Sequence, residues 1–298
     1  MRCFRGAALI VRVKLRGIEL IQSRSVWRIQ SLLPTAPLER TREMLFVLGL
    51  FIASSTPVAL VTGAGGRTGS LVYAGLKARG TVTVRAFVRS GTNLSTVQAA
   101  LHCTACDEAE GIYYGDVTNA STLTAPFSGV DMVAIAVGVS GDSTKEVMEA
   151  VEFKGVEAQV KALVSGTLGL VPSAQRVVLC SSMGTTNPNP APFEGGKDLF
   201  WKLQAETFLA SCGVPAVVVK PGGLGTGPGN GALLVDHDDN LLAKGTFEVD
   251  RVDVARVMVA ALFHPTAGLR FDLAAAKSGP PTTDLDALLQ SARWSWQQ

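Results

Sequence analysis

Histidine is scarce in this chain: His102, His237 and His264 are the whole complement. They stand far apart, without metal-ligand spacing or a nucleophile motif, so each reads as structural or exposed. The five cysteines, Cys3, Cys103, Cys106, Cys180 and Cys212, do not make the framework of a small secreted domain. Cys180 lies in an apolar segment and reads as a small buried hydrophobe. Cys103 and Cys106 form a single C-x-x-C in a linker, a weak signal for zinc or thiol redox chemistry. "SSMG" (181–184) lacks the G-x-S-x-G elbow, which argues against an α/β-hydrolase. The acidic run "DHDDN" (236–240) reads as an exposed turn between short strands rather than a cation site. No apolar run reaches the roughly 20 residues of a spanning helix, and "LFVLGLFIASS" (45–55) is too short for one.

Charge of one sign is also lacking, for the formal net charge is only +2 over 298 residues. Residues 1–43 nevertheless hold nine Lys/Arg against three acids, leaving 18 basic and 22 acidic residues in 44–298. The larger part is therefore mildly acidic, which disfavours nucleic acid as a partner. The Arg-rich, acid-poor start resembles an organelle-targeting presequence, so 1–55 is set apart from the fold and 56–298 is taken as one domain. The run 45–55 also fits the apolar region of a signal peptide should translation begin at Met44, and mitochondrial, secretory-route and cytosolic destinations stay open.

From residue 57 onward, apolar strands alternate with helical patterns, the signature of a parallel sheet covered on both faces. Strands are expected at 58–62, 83–88, 111–116, 132–137, 176–182, 216–221 and 269–274. Helices are expected around 67–79, 93–101, 120–126, 145–167, 197–212 and 253–263. The fold class is thus α/β, a doubly wound Rossmann fold with a small C-terminal elaboration. The glycine- and proline-rich "PGGLGTGPGNG" (221–231) is placed as a loop capping the ligand crevice, and Trp201 as core.

"VALVTGAGGRTGSLVYAGLKARG" joins the first strand to a helix through Gly63, Gly66 and Gly69. Gly63 permits the tight turn, Gly66 opens the backbone to a pyrophosphate, and Gly69 lets helix and strand pack closely. The helix N-terminus that follows, with Thr68, faces the phosphates. Position 89, where NAD binders carry an acid, is Arg, and a guanidinium can hold the 2′-phosphate of NADP through two N–H groups. Arg67 adds a second positive charge, so the cofactor expected is NADP. Arg85 is expected to pack its stem with its head in solvent. Asp116 and Val117 would flank the adenine. Ala136, Val137 and Gly138 offer small side chains where backbone approaches the ligand.

"LVTGAGGRTG", "RAFVRS", "YGDVTN", "LCSSMGTTN", "WKLQAE", "LASCGVP", "KPGGL" and "VDRVDVARV" occur in the order found in atypical short-chain dehydrogenase/reductases. The chain resembles, over about 57–290, their plant and algal NAD(P)-binding Rossmann-fold group, NmrA-like and related to the NADP-binding part of a plastid import component. Many members are plastid-targeted, which makes the plastid the implied destination. The resemblance implies NADP binding, and leaves the small-molecule substrate unnamed and room for a protein partner. Relatives carry a long polar loop after the fourth strand, whereas "VSGDSTKEVMEAVEFKG" leads almost directly into the next helix. The resemblance also implies site residues: Ser182 takes the catalytic serine place with Ser181 beside it as a cofactor contact, and Lys202 the place of the catalytic lysine that also binds the nicotinamide ribose. The tyrosine place holds Asp198. Two functions follow, an NADPH-dependent reductase of a small carbonyl or alkene, or a non-catalytic NADP(H)-binding redox sensor or docking module.

Overall fold

The computed structural model describes residues 11–15, 18–23, 26–31, 56–166, 175–186 and 198–297. The apolar run 45–55 lies outside them. Two compact units divide the chain, Met1–Thr56 and Pro57–Gln298. In the first, "VRVKL" alternates apolar and polar residues, the period of a strand, and "IELIQS" and "VWRIQS" are rich in β-branched and aromatic residues. They form β1 (Val11–Leu15), β2 (Ile18–Ser23) and β3 (Val26–Ser31), paired antiparallel in that order. The sequence reading assigned no element to these residues.

The second unit starts with β4 (Val58–Thr62), whose Ala59, Leu60 and Val61 are fully buried. After the glycine loop come α1 (Gly69–Arg79), β5 (Thr83–Arg89), α2 (Leu94–Leu101), β6 (Ile112–Gly115) and the single-turn α3 (Thr124–Phe127). β7 (Met132–Ile135) leads into α4 (Lys145–Met148), a π-helical segment Glu149–Lys154, and α5 (Gly155–Gly166). β8 (Arg176–Cys180), α6 (Asp198–Ser211), β9 (Ala216–Pro221) and the short β10 (Gly223–Gly225) follow. The chain closes with β11 (Leu233–Asp236), α7 (Asn240–Ala243), β12 (Glu248–Asp250), α8 (Arg251–Phe263), β13 (Leu269–Ala275) and α9 (Leu285–Ser291).

The main sheet runs β11-β13-β9-β8-β7-β4-β5-β6, parallel throughout except for β11, which is antiparallel to β13. Strand order reverses between β4 and β7, so a crevice opens beyond their C-terminal ends. Side chains alternate between two cores, because successive residues of a strand face opposite ways. Ala59, Val61, Val84, Ala86, Val217 and Val219 pack under α1, α2, α8 and α9. Leu60, Phe87, Val177, Leu179, Ala216 and Val218 pack under α3, α5 and α6. This is the doubly wound α/β fold.

Several details differ from the sequence pattern. The single helix expected at 145–167 is broken into α4, the π segment and α5, and the one at 120–126 is a 3-10 turn followed by α3. The strands expected to reach Val137 and Ser182 end at Ile135 and Cys180. β10, β11, β12 and α9 had no clear signal, being three to seven residues long. Among the described residues, no helix is long and apolar enough to cross a membrane.

Candidate cofactor-binding site

Steric demand fixes the loop between β4 and α1. Gly63 has φ +70°, and a Cβ there would come within 2.4 Å of the Ala136 carbonyl oxygen on the neighbouring strand end. At Gly69 a Cβ would meet the Gly63 carbonyl oxygen at 2.2 Å. Both contacts are far inside van der Waals range, so the helix can start this close to the strand only with glycine. Thr68, the N-cap of α1, makes no side-chain cap bond, and no acid occupies the first turn. The positive end of α1 is thus left to an anion from outside.

Beyond the strands lies a crevice of about 820 Å³. Gly63, Gly66, Arg89, Asp116, Val117, Ala136, Val137 and Gly138 all line it, together with Phe87, Thr118, Val139, Ser140 and Val151. Its wall continues onto α4 and the π segment through Val147 and Ala150. Arg67 lines an adjoining hollow with Gly65, Gly66 and Ser70, opposite Ser95 and Thr96 of α2. Asp116 is held below the usual carboxylate range, first by the Thr118 amide and then by the Thr118 hydroxyl, with Arg89 adding a smaller pull. Its Oδ1 takes both Thr118 donors, at 2.8 and 2.7 Å.

The lysine of the expected site is reached indirectly. Lys202 Nζ lies 2.6 Å from Glu152 Oε2, and the other oxygen, Oε1, accepts the Val139 N–H of the crevice wall at 2.9 Å. Glu152 projects from the π segment and is 4% exposed. Burial alone would lower the Lys202 pKa, but Glu152, aided by Cys180 and Asp198, overcomes it and holds the ammonium above the ordinary lysine value. Lys202 is therefore a fixed cation rather than a base. Burial pushes the neighbouring Cys180 thiol up to about 11, so it is no thiolate.

Asp198 opens α6, one turn before Lys202. Ser181 and Ser182 differ: the buried Ser181 hydroxyl donates to Glu206, whereas Ser182 Oγ, among the described residues, donates to the Met183 carbonyl at 2.9 Å. The crevice lining includes neither serine, nor Lys202, Thr68 or Gly69.

The sequence profile of the NAD(P)H-binding family matches residues 63–265, more than half of the chain. The chain belongs to the NAD(P)H-binding family. An uncharacterized chloroplastic protein of Arabidopsis thaliana is 32% identical over 261 residues, 79% of this chain and 76% of that protein. Sanguinarine reductase of Eschscholzia californica is 30% identical over 271 residues, 79% of this chain and 96% of the enzyme. The solved structure of a Rossmann-fold NAD(P)-binding family protein from Shigella flexneri superposes with a TM-score of 0.54 at 17% identity, covering 76% of this chain and 98% of that one. That membership is consistent with the resemblance to atypical short-chain dehydrogenase/reductases carried by the motifs.

For a member of this family, the residue that sequence reasoning missed is Glu152. The signal was there: Met148, Val156 and Val160 make a buried row at four-residue spacing, and Glu152 is the one acid in it. One other expectation needs correction. Asp239 of "DHDDN" is not an exposed turn residue, because it lies 2.7 Å from the fully buried Lys220 and takes the amides of Gly184 and Thr186. The Arg85 head, at the surface as expected, is not free there, because its guanidinium donates to the carbonyls of Pro126 and Ser128 at the end of α3. Trp201 is core as expected, stacked on Phe153. His264 is buried and bonded to Thr266 and Gln290, and His237 stacks on Trp294.

Proposed function

We propose that the protein is an NADPH-dependent oxidoreductase that passes hydride to a small carbonyl or conjugated alkene. The observation that carries this reading is the distribution of cations around the crevice. Arg89 lines it, at the end of β5. Arg67 stands beside the glycine loop and faces Arg251, whose pKa burial first and then Arg67 push below the ordinary arginine value. Arg251 is held by the carbonyls of Leu224 and Gly225, which leaves the two guanidiniums repelling. A phosphate group relieves that repulsion, and the 2′-phosphate of NADP supplies a second anion that NAD lacks. Gly63, Gly66, Thr68 and Gly69 would take the pyrophosphate, Arg89 the 2′-phosphate, and Asp116 and Val117 the adenine side. Ala136, Val137 and Gly138 would leave room for the nicotinamide end.

When bound, the cofactor supplies the hydride. Lys202, oriented by Glu152, would bind the nicotinamide ribose. Ser182, whose hydroxyl donates to the Met183 carbonyl, would exchange that bond for one to an acceptor oxygen, while Ser181, committed to Glu206, would contribute through its backbone. Asp198 in the tyrosine place favours a second reading, a non-catalytic NADP(H)-binding module. The basic N-terminal stretch, together with the chloroplastic relative, supports plastid import as its route.

Fluorescence titration tests the cofactor assignment. NADPH should bind more tightly than NADH, and Arg89→Ala should remove most of the gap, about 1–3 kcal/mol. Equal affinities in the unaltered protein would overturn it. NADPH oxidation against a panel of carbonyls and alkenes then separates the two readings, since tight binding without turnover leaves only the module.

A further inference from the structure

The C-x-x-C is closed: Cys103 and Cys106 form a disulfide. It lies on the crossover from α2 to β6, apart from the crevice. Cys106 is 1% exposed and packs in the core with residues of α1 and α2, whereas Cys103 is half-buried and open to an incoming thiol. His102 and Cys106 both adopt left-handed φ, +53° and +55°, a region that non-glycine residues rarely enter. Glu110 holds this loop from the other side. Its carboxylate accepts the amides of Thr104, Ala105 and Cys106, the last at 2.8 Å. Gln98 of α2 donates to the Thr104 carbonyl at 2.8 Å, which ties the loop back to the helix.

We propose that Cys103–Cys106 is a reversible thiol switch whose state sets how tightly the adenosine-phosphate end of the nucleotide is held. The coupling rests on the NADPH reading above and on the position of α2. That helix follows Arg89 by a short turn, in which Thr92 donates to the Arg89 carbonyl at 2.7 Å. Ser95, Thr96, Ala99 and Ala100 of α2 form the wall of the hollow opposite Arg67. After the loop, the chain runs through β6 to Asp116 in the crevice. The disulfide thus staples a segment with a nucleotide-facing residue at each end. Opening it frees the two left-handed residues to relax and loosens α2.

The reductant is a low-potential dithiol. Its thiolate attacks Cys103 Sγ, the S–S bond breaks, and Cys106 leaves as a thiolate that takes a proton. The second thiol of the reductant attacks the mixed disulfide and releases Cys103. Two electrons and two protons pass to the protein, and the reductant ends as its own disulfide. Glu110, whose oxygen lies within 4.8 Å of both sulfurs, slows the exchange because its charge opposes the departing thiolate, and its bonds to the Thr104, Ala105 and Cys106 amides hold the loop in the shape of the closed pair.

The test equilibrates the folded full-length chain in buffers of graded reduced-to-oxidised dithiothreitol ratio, followed by alkylation and mass analysis of the peptide carrying both cysteines. Both thiols should appear together in one two-electron transition and close again on reoxidation. Glu110→Gln should favour the open form about tenfold, a shift of about 30 mV. Hydrogen exchange should rise in 94–110 on reduction, a readout independent of nucleotide. NADPH affinity of the reduced chain should fall severalfold, and Cys103→Ser should match the reduced value with or without reductant.

A pair that opens only on global unfolding overturns the switch. So does a reduced chain that instead captures one zinc ion per molecule and shields both thiols from alkylation. Equal NADPH affinities in the two states overturn the coupling. If neither state binds NADPH, the cofactor reading fails and the coupling fails with it, while alkylation and exchange still decide whether the pair switches.

Discussion

An ammonium buried on α6 needs an anion, and Glu152 provides it from the π segment at 2.6 Å. π-helical insertions occur often at functional sites because the extra residue re-aims a side chain. Here the re-aimed group joins the lysine to the Val139 amide of the crevice wall. Lys202→Ala leaves Glu152 buried and unpaired, which should cost about 3–5 kcal/mol of stability, and Glu152→Gln should be comparably damaging. Replacing both, Lys202→Met with Glu152→Leu, should recover most of that loss, since no lone buried charge remains. NADPH affinity should stay about 1–3 kcal/mol weaker in the double variant. Chemical denaturation and nucleotide titration on the three proteins check this, and a double variant that binds NADPH as the parent does would remove Lys202 from the cofactor site.

Between elements, a buried charge cluster joins β9, β13 and the turn before α7. Lys220 is fully buried, 2.7 Å from Asp239 and 3.0 Å from Asp272, its register partner on β13. Among the described residues neither Asp272 oxygen has a well-aligned donor, and burial raises its pKa despite Lys220. Burial works the same way on Asp239, but there Lys220 and the Gly184 and Thr186 amides win and lower the pKa. The signs oppose. The contribution of Asp239 is present above the unfolded carboxylate pKa of about 3.9 and is lost as pH falls through its lowered folded value. Asp272 favours the folded state below about 3.9, and that gain is lost as pH rises toward its raised folded value. Asp272→Asn should therefore be nearly neutral at pH 7, within about 1 kcal/mol, and should remove the loss on raising pH. Asp239→Asn should cost about 3–5 kcal/mol at pH 7 and weaken the acid-side decline. Urea unfolding from pH 3 to 8 gives both curves; a large loss in Asp272→Asn at neutral pH would contradict the assignment.

At the scale of the whole molecule, the nucleotide unit carries its own first strand, glycine loop and both cores. A chain starting at about residue 56 should unfold cooperatively and bind NADPH within about twofold of the full chain, because no element of the crevice is removed. Denaturation and titration of that truncation decide it; an insoluble product would tie the N-terminal unit to the fold. The Rossmann order was legible because strand alternation and the Gly63, Gly66, Gly69 spacing are local steric requirements, readable within about 25 residues of chain. Arg89 was legible for the same reason, standing at a fixed distance from those glycines. The short β10, β11 and β12 were not, since three or four residues carry too little periodicity. Sequence alone therefore determined the fold class, the crevice and the sign of the charge at its edge. Tertiary structure alone decided that Lys202 answers to Glu152, 50 residues away, that Ser181 is committed to Glu206 and Ser182 is not, and that Asp239 turns inward to Lys220. A residue pattern encodes which face of an element is buried; which polar groups meet once the faces close depends on the packing of distant elements, and the cost of leaving a buried charge unpaired then selects the partners.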